Sequence, residues 1–62
     1  MNKKNMKQIQ EQLPIGARIL RSYKAFEGDL RVIVRLPGES GETRYTIKWD
    51  YENDYPRLEL TP

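Results

Sequence analysis

Thr43-Arg44-Tyr45-Thr46-Ile47-Lys48-Trp49-Asp50 is the stretch whose reading decides the fold. Tyr45, Ile47 and Trp49 alternate with Arg44, Thr46 and Lys48, the period-two pattern of a strand with one buried face and one wet face. It carries the one Trp of the chain, and a large aromatic contributes heavily to a small core. Leu30 to Leu36 alternates in the same way, with Leu30, Val32, Val34 and Leu36 on one side and Arg31, Ile33 and Arg35 on the other. A hairpin through Pro37-Gly38-Glu39-Ser40-Gly41-Glu42 then sets Leu36 opposite Thr43, Val34 opposite Tyr45, Val32 opposite Ile47 and Leu30 opposite Trp49. Trp49 is expected in the core with Leu30, Val32, Val34, Ile47, Leu58 and Ile9.

Towards the N-terminus, Met1 to Leu13 reads as a short helix. Met6, Ile9 and Leu13 recur at i, i+3 and i+7 as one apolar stripe. Asn5 with Gln8 makes a capping box, and Asn2 is a rival cap. Pro14 ends the helix, because it disfavours α geometry at Leu13 and has no N–H of its own. Two to three turns of helix are marginal alone, so the stripe must dock on the sheet. A first strand follows over residues 17–26, with imperfect alternation. A bulge near Arg21-Ser22 brings Ile19 and Phe26 to one side. Glu27-Gly28-Asp29 is the turn into the next strand, with Gly28 free to take positive φ. Beyond Asp50 comes a polar, acidic loop from Tyr51 to Pro56, then a last short strand from Arg57 to Thr61 with Leu58 and Leu60 inward. Its end at Pro62 suits a sheet edge.

The expected architecture is mainly β: a short N-terminal helix (1–13) and a four-stranded antiparallel meander (17–61), strongly curved or closed as an SH3-like small barrel. With 62 residues the chain reads as a single domain, 1–62. A domain of that size buries only about 60% of its unfolded surface, so its stability is expected to be low. There is no cysteine to form a disulfide or a thiolate metal site. No apolar run approaches the roughly 18 residues of a membrane span, and no membrane partner is expected. Met1-Asn2-Lys3-Lys4 is basic but leads into no apolar segment, so no secretory signal is expected and the location reads as cytoplasmic. The net charge of +2 comes from 11 basic and 9 acidic side chains, so their distribution matters more than their sum.

The helix, then Leu13-Pro14-Ile15-Gly16-Ala17-Arg18-Ile19, then a strand ending Ile47-Lys48-Trp49-Asp50, then Leu58-Glu59-Leu60, resembles a family of short proteins with SH3-like small barrels. These occur largely in bacterial mobile elements. In that family a helix runs into a Pro-x-Gly-x-Arg-(Val/Ile) lead-in and a later strand ends in Trp-Asp. The likeness covers the two ends of the chain. Tyr51 to Pro56 stands where the family has a tight Gly-containing turn. The resemblance implies the barrel, and the family has no established activity to carry over.

The residue types argue against catalysis. There is no His or Cys, and Ser22 and Ser40 have no plausible base beside them. Asp50-x-Glu52-x-Asp54 looks like half of a calcium loop, but that loop needs Gly at its sixth position and Glu at its twelfth. This chain has Tyr55 and Thr61 there, so neither a metal nor a cofactor is expected. Two surfaces remain. In the register above, Arg35 faces Arg44 and Arg31 faces Lys48, a cation cluster suited to nucleic-acid phosphates. The plainer account is that their alkyl stems cover the sheet while nearby carboxylates neutralise them. The loop residues Tyr51, Glu52, Asp54 and Tyr55 have the aromatic composition of a protein interface. The plainer account there is that one tyrosine folds back over the core. The expectation is a non-catalytic interaction module that binds a protein partner, as a mobile-element accessory or inhibitor protein. The alternative is a nucleic-acid-binding module using Arg31, Arg35, Arg44 and Lys48. The sequence does not fix the oligomeric state.

Overall fold

Asn2 caps α1 (Lys3–Glu11) in the computed structural model, which describes residues 2–62. Its side-chain oxygen accepts the Asn5 N–H at 2.8 Å, so Asn2 starts the helix in place of the Asn5–Gln8 box. Met1, where the expected helix begins, lies outside the described residues. The helix ends two residues before Leu13, at Glu11. Ile9 and Leu13 of its stripe dock as expected, fully and nearly fully buried, while Met6 is half-buried and outside the core.

Four strands follow, β1 (Arg18–Lys24), β2 (Leu30–Arg35), β3 (Thr43–Asp50) and β4 (Tyr55–Leu60), forming one antiparallel sheet in the order β1-β2-β3-β4. The meander is therefore the expected one. The sheet is neither closed nor strongly curled: β1 and β4 are two separate edges, and the expected closure into a barrel is not seen. The Glu27–Asp29 turn has Gly28 at φ +98°, which a Cβ would strain.

The central hairpin forms in a register shifted by two residues. Val34 faces Thr43, Val32 faces Tyr45 and Leu30 faces Ile47, with Arg31 opposite Thr46 and Ile33 opposite Arg44. A slip of two keeps every side chain on its own face, so the apolar alternation fits both registers equally well. Cross-strand charge distinguishes them. The expected register sets Arg35 against Arg44 and Arg31 against Lys48, which is repulsive. The observed one brings Arg35 beside Glu42, with a 3.9 Å ion pair.

The same slip explains the position of Trp49. β2 starts at Leu30, which now faces Ile47, so Trp49 has β4's Pro56 on one side and no β2 residue on the other. Trp49 is half-buried and lies outside the core, contrary to expectation. The core is Ile9, Leu13, Ala17, Val32, Val34 and Ile47, flanked by Ile19, Leu36, Tyr45 and Leu58. Leu30, at the same open end as Trp49, is exposed.

Both outer strands also differ from expectation. The irregularity in β1 falls between Ile19 and Arg21, at Leu20, next to the expected place near Arg21-Ser22. Phe26 is not drawn inward by it: it stands fully exposed in the turn. β4 begins at Tyr55, so Tyr55 and the buried Pro56 belong to a strand and not to the loop. Leu60, expected inward, is exposed.

The helix is fastened along β4 by polar contacts that periodicity does not encode. Gln12 Nε2 donates to the Pro56 carbonyl at 2.6 Å, and Gln12 Oε1 accepts the Leu58 N–H at 3.0 Å. One side-chain amide thus supplies a donor and an acceptor where a fifth strand would have supplied them. The Tyr55 hydroxyl donates to the Gln8 carbonyl at 3.1 Å, adding a second tie between α1 and β4.

Candidate interaction surfaces

The sheet face away from the helix carries the cations. Cross-strand partners share a face, so Arg18, Arg21, Arg31, Arg35, Arg44, Lys48 and Arg57 all lie on it. Ile33 and Thr46 are nevertheless buried there. Ile33 lies between Arg21 and Arg44, and Thr46 lies between Arg31 and Glu59, so long side chains supply the cover.

Arg31, Arg35, Arg44 and Lys48 share this face, but not in the expected Arg35–Arg44 and Arg31–Lys48 cross-strand pairs. Arg31 binds Glu27, Lys48 binds Asp29 at 3.2 Å, and Arg35 shares Glu42 with Arg21, which reaches that carboxylate at 3.0 Å. Arg44, the fourth candidate, has the Tyr23 hydroxyl at 3.5 Å. That contact holds the Tyr23 phenol below its usual pKa, helped by a weaker one from Arg31. Turn carboxylates thus sit among the strand cations, and the face alternates in sign. Between Arg31 and Lys48 lies an open cleft of about 270 Å³, also lined by Asp29, Thr46, Glu59 and Thr61. Its two cations are matched by two carboxylates, and the Thr46 and Thr61 hydroxyls are bonded to each other at 2.7 Å. It has no net preference for an anion.

The second surface is the turn between β3 and β4. Asp50 organises it. One carboxylate oxygen accepts the N–H groups of Glu52 and Asn53 at 3.1 and 3.2 Å. The other accepts Asn53 Nδ2 at 2.9 Å and Arg57 Nε at 2.8 Å. Asp54 closes the turn with a positive φ of 52°, a conformation Asp tolerates better than most residues. Tyr51 is left 88% exposed at the tip, with Glu52 and Asp54 exposed beside it. Tyr55 does not join them. Its ring is half-buried, its hydroxyl is committed to the helix, and the Arg57 guanidinium lies 5.3 Å from its centroid. The sequence thus places Tyr51, Glu52 and Asp54 together on one turn, while Tyr55 is structural. The sequence reading assigns Asp50 and Asn53 no part in forming this turn, although an Asp followed by polar residues is the usual signal of an Asx turn.

These bonds, first those from Asn53 and then that from Arg57, lower the Asp50 pKa from 3.8 to about 2. A carboxylate with a depressed folded-state pKa stabilises the fold above its unfolded pKa, and that contribution is lost as pH falls through the folded one. Stability should therefore decline between about pH 4 and pH 2 through this group. Urea denaturation across that range should show the decline, and Asp50→Asn should flatten it. An unchanged pH profile in the variant would remove Asp50 from its place at the centre of the turn.

Among the described residues no group of His, Cys, Asp or Glu is arranged to hold a metal ion. No helix among them is long and apolar enough to cross a membrane. Comparison with protein-family models, with curated proteins and with solved structures finds no match to this chain.

Proposed function

We propose that this chain is a non-catalytic module that binds a protein partner. The supporting observation is the mosaic on the cationic face. Arg31, Arg35 and Lys48 each have a carboxylate partner, whereas a polyanion-binding surface keeps its cations free for phosphates. The Tyr51–Asp54 turn is the contact surface in this reading. An exposed aromatic on a turn already fixed by Asp50 loses little conformational freedom on binding. A mobile-element accessory or inhibitor protein remains the concrete form, and only the resemblance of the lead-in and the Trp-Asp strand end speaks for it.

A salt titration against single- and double-stranded oligonucleotides tests this reading against the nucleic-acid alternative. Binding no tighter than millimolar at low salt is expected. If Arg31, Arg35, Arg44 and Lys48 each neutralised a phosphate, log affinity would fall against log salt with a slope of roughly −3 to −4. That slope, lost on replacing Arg35 and Arg44 with Gln, would overturn the protein reading. With a protein partner in hand, Tyr51→Ala should weaken binding by about 1–2 kcal/mol, and the Arg35/Arg44 change should matter little.

A further inference from the structure

The geometry points to the free edge of β1 as a docking site for an extended, acidic strand of another protein. This inference rests on the protein-binding reading and assigns it a second surface. The two edges of the sheet are treated differently. At β4, Pro56 has no N–H to offer, and Gln12 occupies the Pro56 carbonyl and the Leu58 N–H. Among the described residues, no side chain bonds to the outer edge of β1 in this way. The Ala25 N–H donates to the Asp29 carbonyl at 2.7 Å, so Ala25 points towards the β2 side. Backbone groups alternate direction along a strand, so Tyr23 and Arg21 also point to β2, and Ser22 and Lys24 present N–H and C=O outward. β1 is seven residues long, about 23 Å, and its edge is open at those positions.

Charge selects the occupant. β1 reads Arg-Ile-Leu-Arg-Ser-Tyr-Lys and contains no carboxylate. The nearest acidic side chains are already committed, Glu27 to Arg31, Asp29 to Lys48 and Glu42 to Arg21 and Arg35. A second copy of β1 would bring its own Arg18 and Lys24 alongside these, the two β1 cations that have no carboxylate partner among the described residues. An acidic strand would instead place opposite charges across the new ladder, where such pairs are favourable. Leu20 and Tyr23, both partly exposed, supply apolar contact for alternate side chains of the incoming strand. Cations on an edge also discourage indiscriminate pairing, so an acidic partner is the one they admit.

The probe is a synthetic seven-residue peptide alternating Glu with Val, titrated into the isotope-labelled full chain and followed by NMR. The amides of Ser22 and Lys24 should shift and exchange more slowly, with a Kd of about 0.1–1 mM at low salt. The same peptide with Lys for Glu should bind at least about tenfold more weakly. Ser22→Pro removes an outward N–H without touching the bonds to β2, and should cost at least about tenfold in affinity. Should that variant not fold, Arg18→Gln with Arg21→Gln, two positions on one face of β1, should weaken the acidic peptide and narrow its lead over the basic one. No shift at several-fold above millimolar peptide, equal binding of the basic peptide, or shifts confined to β4 or the Tyr51 turn would each overturn the inference. So would self-association of the chain through Ser22 and Lys24. A failed peptide titration alongside a partner still weakened by Tyr51→Ala would remove this surface and leave the module reading in place.

Discussion

Ile9→Ala should remove a large share of the domain's stability. Ile9 is fully buried and is the helix residue at the centre of the core. Removing such a side chain costs about 2–5 kcal/mol, from lost burial and from the cavity left behind. At about 0.05–0.15 kcal/mol per residue, the whole chain has only roughly 3–9 kcal/mol. Trp49→Ala should cost less, although Trp49 has the largest side chain. It is only half-buried at the open end of β3, and truncation there opens a surface notch that water can fill. Urea denaturation followed by far-UV circular dichroism measures both variants on one scale. A larger loss for Trp49→Ala than for Ile9→Ala would show that the core is centred elsewhere.

The second large effect is expected at Gln12, a residue with no apolar contribution to make. Gln12→Ala leaves the Pro56 carbonyl and the Leu58 N–H without their partners. Two hydrogen bonds at about 0.5–1.5 kcal/mol each put the loss at about 1–3 kcal/mol, a large share of so small a total. Gln12→Glu should not rescue it at neutral pH. A carboxylate accepts from Leu58 but cannot donate to Pro56, and it sets a negative charge against that carbonyl. The variant edge should also make the chain more prone to associate, because β4 then presents a row of free backbone groups. Thermal melts with sedimentation at two concentrations check both parts. A Gln12→Ala protein as stable as the parent would mean that packing of Ile9 and Leu13 alone holds the helix.

These two residues also show how far the sequence could be read. Ile9 and Leu13 were legible because helical spacing marks one face, and the face had to be buried. The strands were legible because Tyr45, Ile47, Val32 and Val34 alternate with polar residues. Register was not, since a slip of two leaves that alternation intact and only Arg35 and Glu42 reveal the choice. The position of Trp49 outside the core follows from the same slip. Gln12 was not legible at all: its β4 partners lie 44 and 46 residues away, and nothing in the local sequence distinguishes it from Gln8 or Gln10. Of the candidate sites, the Tyr51 turn could be found from composition. The separation of Tyr55 from it, and the pairing of the cations with turn carboxylates, depend on contacts between distant segments.

Amide hydrogen exchange on the free protein tests the central claim, that one sheet edge is closed by the helix and the other is open for a partner. Leu58 should exchange slowly, because its N–H is held by Gln12. Ser22 and Lys24 should exchange near the rate of unstructured amides, while Arg21 and Tyr23 between and beside them stay protected by β2. Rapid exchange at Leu58 together with protection at Ser22 and Lys24 would contradict it.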